Sequence, residues 1–214
     1  MSTGDMWKAT ATTTFLLVLL NLALFSLNNT AWIVLGLIAL VLAMFFSFRQ
    51  GMDFGHNACG LLQTVEKAAD PKSPAHGQLD QKVINRAWGV NKGLKGMFAC
   101  ALVPYIIGCL YILCSLLNLE PLVMPTRILS WVLATPYWPV VLPWYNTFDR
   151  LTGVVAAVLM ISPFVLPGCL FAGYMQGPKL WAKSEQAMAQ GKRRAKAKSR
   201  VVKKRAPRTQ KPEI

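Results

Sequence analysis

The chain has 214 residues, of which 54% are hydrophobic and only 15% charged, and its mean hydropathy is positive (+0.38). A soluble domain carries about a quarter charged residues, so composition alone argues against an ordinary soluble fold. The net charge of +14 is concentrated: residues 176–214 hold thirteen Lys or Arg against Glu185 and Glu213, and the other 175 residues sum to only +3. The basic character therefore belongs to a tail and not to a folded basic domain.

Residues 9–27 carry no charge, and Asn21 is their only strongly polar residue. Crossing a hydrocarbon core of about 30 Å takes roughly 20 apolar residues, so this segment reads as a first span. Lys8 is opposed by Asp5, and no small-residue cleavage site stands near Ser26, so the span is expected to remain uncleaved. Asn28, Asn29 and Thr30 signal a turn. The same three residues fit a glycosylation sequon, although they lie too close to the membrane for modification to be expected. Residues 31–48 are a second uncharged run, and 1–48 then form a transmembrane hairpin.

A polar loop, 49–95, follows, with seven Lys or Arg and four acids. Leu61, Leu62, Val65 and Ala69 share one face of a predicted helix over 58–69. Pro71 and Pro74 then break the chain. A second helix is predicted over 80–90, with Val83, Ile84, Ala87 and Trp88 on one stripe. Both stripes are narrow and flanked by Lys, which suits helices on the membrane surface or helices packed beneath the bundle.

Gly93 and Gly96 are expected to separate this loop from a third span, 97–117, which Pro104 interrupts. The fourth span is 151–175, so residues 96–175 make a second membrane unit. Between its spans, the apolar part of 121–148 is too short to cross. Pro136, Pro139 and Pro143 interrupt it, and Trp131, Tyr137, Trp138, Trp144 and Tyr145 crowd it. Such rings favour the membrane–water interface, so 121–148 is read as interfacial or re-entrant. Four spans place the 49–95 loop and the tail on one side, with twenty Lys or Arg, and leave only Arg127 and Arg150 opposite. By the positive-inside rule both termini are then cytoplasmic. Treating 128–145 as a fifth span would split that charge.

The pairs Gln50-Gly51 and Gln176-Gly177 each follow a hairpin, a faint sign of duplication. Small residues let helices approach in lipid, and Ala39/Ala43, Gly153/Ala157 and Gly168/Ala172 are small pairs of the right spacing. The expectation is that Gly168→Leu weakens helix association.

Little in the sequence points to chemistry. The five cysteines form no C-x-x-C pair, and four lie in apolar spans where Cys behaves as a small hydrophobe. Asp53, His56 and Cys59 recur every third residue and are the candidate metal ligands, with His76 a fourth. Metal motifs rest on tighter pairs, and the plainer reading is a polar helix end at headgroup level, so no cofactor is expected. There is no G-x-S-x-G, no phosphate-binding glycine loop and no ionisable residue within a span.

The tail is the strongest signal. Lys192, Arg193, Arg194, Lys196, Lys198, Arg200, Lys203, Lys204, Arg205, Arg208 and Lys211 are unrelieved by any acid, and a disordered basic tail over 176–214 is predicted. Such a run suits anionic lipid headgroups or RNA phosphates. No aromatic residue follows Trp181 to stack on bases, so nucleic-acid binding would not be sequence-specific.

The sequence thus predicts an all-α, polytopic integral membrane protein with about four transmembrane helices in two hairpins, an interfacial or re-entrant aromatic segment, and a disordered basic tail. Its expected place is a bacterial plasma membrane. The leading functional reading is a non-catalytic scaffold or accessory subunit whose tail contacts anionic lipid, RNA or the ribosome, with other membrane subunits as further partners. The alternatives are a transporter or channel subunit and a membrane enzyme built on Asp53, His56 and Cys59.

Overall fold

Four helices are long and apolar enough to cross a membrane, and their side chains explain why they stand together. The computed structural model describes residues 3–24, 29–72, 80–141 and 153–205. Among these residues there are only helices and turns: α1 (Thr3–Leu24), α2 (Asn29–Ala69), α3 (Gln81–Arg86), α4 (Val90–Leu116), α5 (Glu120–Ala134), a 3-10 turn (Thr135–Tyr137), α6 (Trp138–Val141), α7 (Gly153–Met175) and α8 (Gly177–Arg205). Phe15, Leu42, Phe45, Phe46, Leu102 and Ile161 stand exposed on the outside of the bundle. In water so much exposed apolar surface would be unstable, whereas in a bilayer it faces its solvent.

Three buried clusters run from one end of the bundle to the other. Met6, Cys100 and Leu170 lie at the end carrying the N-terminus, with Phe54 beside them. Leu17, Leu40, Ala43, Tyr137 and Leu166 fill the middle. Tyr111, Ala134 and Leu159 close the far end. The helices therefore alternate in direction, and the N-terminus, the α2–α4 connection and α8 share one end. Central to the packing is α7, whose largest contacts are with α2 and α4.

Several boundaries differ from the sequence expectation. The first helix begins at Thr3, and the second span continues without a break into the predicted 58–69 helix. At roughly 1.5 Å per residue, the 41 residues of α2 reach about 60 Å, twice the hydrocarbon thickness. Its glycines do not end it because each sits where a neighbour presses close. The loop helices pack beneath the bundle: Leu61, Leu62 and Val65 are half-buried, and α3 lies against α2. The predicted 80–90 helix shortens to Gln81–Arg86, with Asp80 capping it by accepting from the Lys82 N–H. It stops because the Trp88 N–H is drawn away to the Ala58 carbonyl (3.0 Å). Lys92 Nζ donates to the carbonyls of Ile84 (2.7 Å) and Ala87 (3.2 Å), acceptors at the helix end. Gly93 and Gly96 are no separator: they lie inside α4, one against the Tyr174 ring and the other against the Met6 sulfur.

The aromatic segment turns inward. From the far end, α5 runs back into the bundle, and Ser130 Oγ donates to the Ile107 carbonyl of α4 (3.2 Å). The 3-10 turn delivers Tyr137 to the middle cluster, and Pro139 of α6 then lies against Gly36 of α2, which the Asn21 side chain also approaches. Within 121–148, residues 142–148 are outside the described structure. Ser130→Ala should cost about 0.6–1.7 kcal/mol, the range for hydrogen bonds between helices in lipid, read as a small fall in the thermal midpoint of the purified protein.

The tail departs most from expectation. A disordered coil is predicted from 176, yet α8 is helical to Arg205. Its residues are largely Ala, Lys, Arg, Gln and Met, all strong helix formers, and its first turns are held by α2. Arg208 and Lys211 lie outside the described residues.

Candidate functional site

Beneath the apolar bundle, α2 meets the junction of α7 and α8 in a crossing made of four glycines. Gly51 and Gly55 on α2 face Gly173 and Gly177. A Cβ on Gly51 would stand 2.0 Å from the Leu170 carbonyl oxygen, and one on Gly173 would stand 2.0 Å from that of Phe48. One on Gly55 would meet the Tyr174 carbonyl at 2.3 Å, and one on Gly177 would meet the Gly55 backbone at 2.3 Å. All four obstacles are backbone, so no side chain can move aside. Gly51 and Gly55 stand four residues apart on α2, and Gly173 of α7 and Gly177 of α8 stand four apart across their junction, the small-xxx-small pattern that lets helices touch. The pairs singled out from sequence included Gly153 and Gly168, and the structure corrects that choice. A Cβ at either would meet nothing within 4 Å, so Gly168→Leu is not expected to disturb helix association.

This crossing aims α8. Past Gly177 the helix runs beside α2 in the same direction. The Trp181 ring lies over Gly60, where a Cβ would come within 3.0 Å of it, and packs on His56 with centroids 5.0 Å apart. Ser184 Oγ donates to the Trp181 carbonyl (2.7 Å), so its proton is committed. His56 Nε2, 3.3 Å from that oxygen, is then the donor to it. Further along, Gln63 Nε2 donates to Glu185 Oε1 (2.6 Å). Glu185, the one acid in the described part of the tail, is thus spent on holding α8 to α2.

A second brace comes from the α3–α4 connection. Tyr174 is buried and its hydroxyl accepts the Gly89 N–H (3.1 Å), while the neighbouring Trp88 ring stacks on it at 6.2 Å. Tyr174→Phe should leave that N–H unpaired at a cost of about 1–3 kcal/mol. Faster amide exchange at Gly89 would be its signature, and unchanged protection would refute the brace.

The candidate metal ligands are not brought together. Three-residue spacing advances a helix by about 300°, so each step drifts roughly 60° and Asp53 and Cys59 end about 120° apart. Asp53 is exposed beside Arg49 (4.0 Å), an ion pair worth little in water. His56 faces α8, and Cys59 is buried, which pushes its thiol pKa up and keeps it protonated. Among the described residues no three of His, Cys, Asp and Glu gather to hold an ion, and His76 lies outside them.

Of the cations singled out in the tail, Lys192 to Arg205 lie on α8. Since Glu185 pairs with Gln63, α2 ends at Ala69 near the level of Gly191, and residues 192–205 extend beyond it. Reading the sequence missed the two glycine pairs and the Trp181 and His56 contacts. The small-residue spacing was a usable signal for the first, whereas the second arises only from tertiary packing. The fold is thus that of a helical protein with four helices suited to crossing a membrane and a basic helix at one end. The chain matches no protein-family model, no curated protein and no solved structure.

Proposed function

We propose that this is a non-catalytic integral membrane protein, a scaffold or accessory subunit, that holds a basic helix away from the bilayer to engage the phosphates of RNA, with the ribosome as the fitting source. The observation that carries the reading is the course of α8 beside α2. From the level of Phe48, the last apolar residue of the second span, to Gln63 is about 22 Å of helix. Another 10 Å or so leads from Glu185 to Lys192. The Debye length at physiological salt is about 8 Å, so the protein's own leaflet pulls only weakly on cations held there. A helix bound flat to its membrane also needs an apolar face, and residues 192–205 offer only alanines and two valines as apolar residues. Positive charge retains this end in the cytoplasm, with both termini there, and a bacterial plasma membrane suits the arrangement.

The test uses full-length protein and a version ending at Gly191, both in detergent, challenged with single-stranded RNA and separately with phosphatidylglycerol vesicles. RNA binding that requires residues 192–214 supports the reading. Binding only to vesicles assigns the tail to lipid instead, and a protein partner retained without the tail moves the function into the helices. The inward course of α5 to α6 favours a second reading, a transporter or channel subunit, because irregular backbone at membrane depth often lines a pathway. Pro139→Ala would abolish such an activity and leave RNA binding intact.

A further inference from the structure

Behind the aromatic segment lies a cavity of about 330 Å³, bounded by α1, α4, α5 and α7. Its inner wall is Ala134, Tyr137 and Leu166, all buried. On the outer side stand Trp7, Phe15, Val103 and Val132, each 43–61% exposed, so the cavity opens onto the same apolar exterior that the bundle presents to lipid. The lining is mostly carbon. Five hydroxyl side chains, Thr10, Thr14, Ser130, Tyr137 and Ser162, also border it, and Ser130 already donates to the Ile107 carbonyl. A water there would need two to four polar partners. Apolar cavities of roughly 150 Å³ stay dry and take benzene, and this one has about twice that volume.

The cavity is built into the helices. Pro104, Pro163 and Pro167 all line it, and proline offers no N–H to the carbonyl four residues back. Those carbonyls belong to Cys100, Leu159 and Pro163, which line it too. The cavity thus lies along stretches of α4 and α7 whose backbone hydrogen bonding the prolines interrupt, while the two helices still touch where Gly108 meets Leu159.

We propose that this cavity is a binding site for one hydrocarbon chain of a bilayer lipid, entered sideways between α1 on one side and α4 and α5 on the other. The occupant follows from continuity with the lipid-facing surface: a dry, carbon-lined space open to the bilayer is filled by what the bilayer is made of. The site is separate from the tail and does not depend on how α8 acts.

The test is photolabelling of full-length protein in vesicles containing phosphatidylglycerol with a diazirine on one acyl chain. Label should concentrate in 100–108, 130–137 and 159–167, fall with excess unlabelled lipid, and drop at least fivefold in Ala11→Phe, which fills the space from α1. Leu16→Phe, on the exposed face of α1, should label as wild type. Val132→Phe serves as a second filling variant, and each variant is scored only if its thermal midpoint matches wild type. Label no denser there than at Phe45 and Phe46, or unchanged by both filling variants, would overturn the site. Strong labelling of the same segments by a water-soluble diazirine would do so as well, since it would mean an aqueous cavity.

Discussion

Gly173→Val should lower the thermal midpoint of the detergent-solubilised protein by roughly 6–12 °C, or prevent its accumulation. A Cβ there would lie 2.0 Å from the Phe48 carbonyl oxygen and 3.0 Å from the Met52 nitrogen. Neither atom can withdraw unless α2 shifts as a whole. Overpacking costs about 1–3 kcal/mol, with the upper figure expected where the obstacle is backbone, and in a chain of this size each kcal/mol corresponds to roughly 2–4 °C. Gly51→Ala should act in the same direction, because its Cβ would meet the Leu170 carbonyl. Gly153→Ala and Gly168→Leu are the controls, and both should stay within about 0.5 kcal/mol of wild type, as surface changes do. If Gly173→Val melts with the controls, the crossing is not the contact that holds α2 to α7.

The largest functional effect is expected in salt dependence. Residues 192–200 alone carry six Lys or Arg. Each cation that displaces a counterion from single-stranded RNA contributes about −0.7 to the slope of log affinity against log salt. Six engaged together give a slope near −4, a loss of roughly 300-fold between 50 and 200 mM salt. Protein ending at Gly191 should show almost no slope. Replacing those six residues with Gln should reduce the slope by about 4 while leaving the midpoint unchanged, since α8 is held by Trp181, Ser184 and Glu185 upstream. A full-length slope near zero would remove RNA phosphates as the partner.

The four apolar helices were legible because hydropathy over twenty residues reports the solvent directly. What joins them was less so. Gly51, Gly55 and Gly60 resemble breaks in a helix when read locally, and only the partners lying on them show why α2 runs through. The pairs Gln50-Gly51 and Gln176-Gly177, read as a faint sign of duplication, each contribute a glycine to the crossing. Asp53, His56 and Cys59 suggested a shared face, but accumulated drift turns Cys59 inward and leaves Asp53 outside. The depth of Tyr137 could not be read at all, since it depends on Leu17, Leu40 and Leu166, three residues on three other helices. For α8, charge density argued for disorder while composition argued for helix, and composition decided over the described length.

The glycine crossing also bears on the order in which the protein is made. Gly51 and Gly55 are synthesised more than a hundred residues before Gly173 and Gly177. During that interval the first hairpin carries, just beyond the bilayer, a bare, closely approachable stripe with no mate for it. Exposed intermediate surfaces of this kind invite misassembly. The nascent chain is therefore most vulnerable before α7 is inserted, and overproduction, which crowds unfinished hairpins together, should penalise this protein more than one whose early helices pair only with each other.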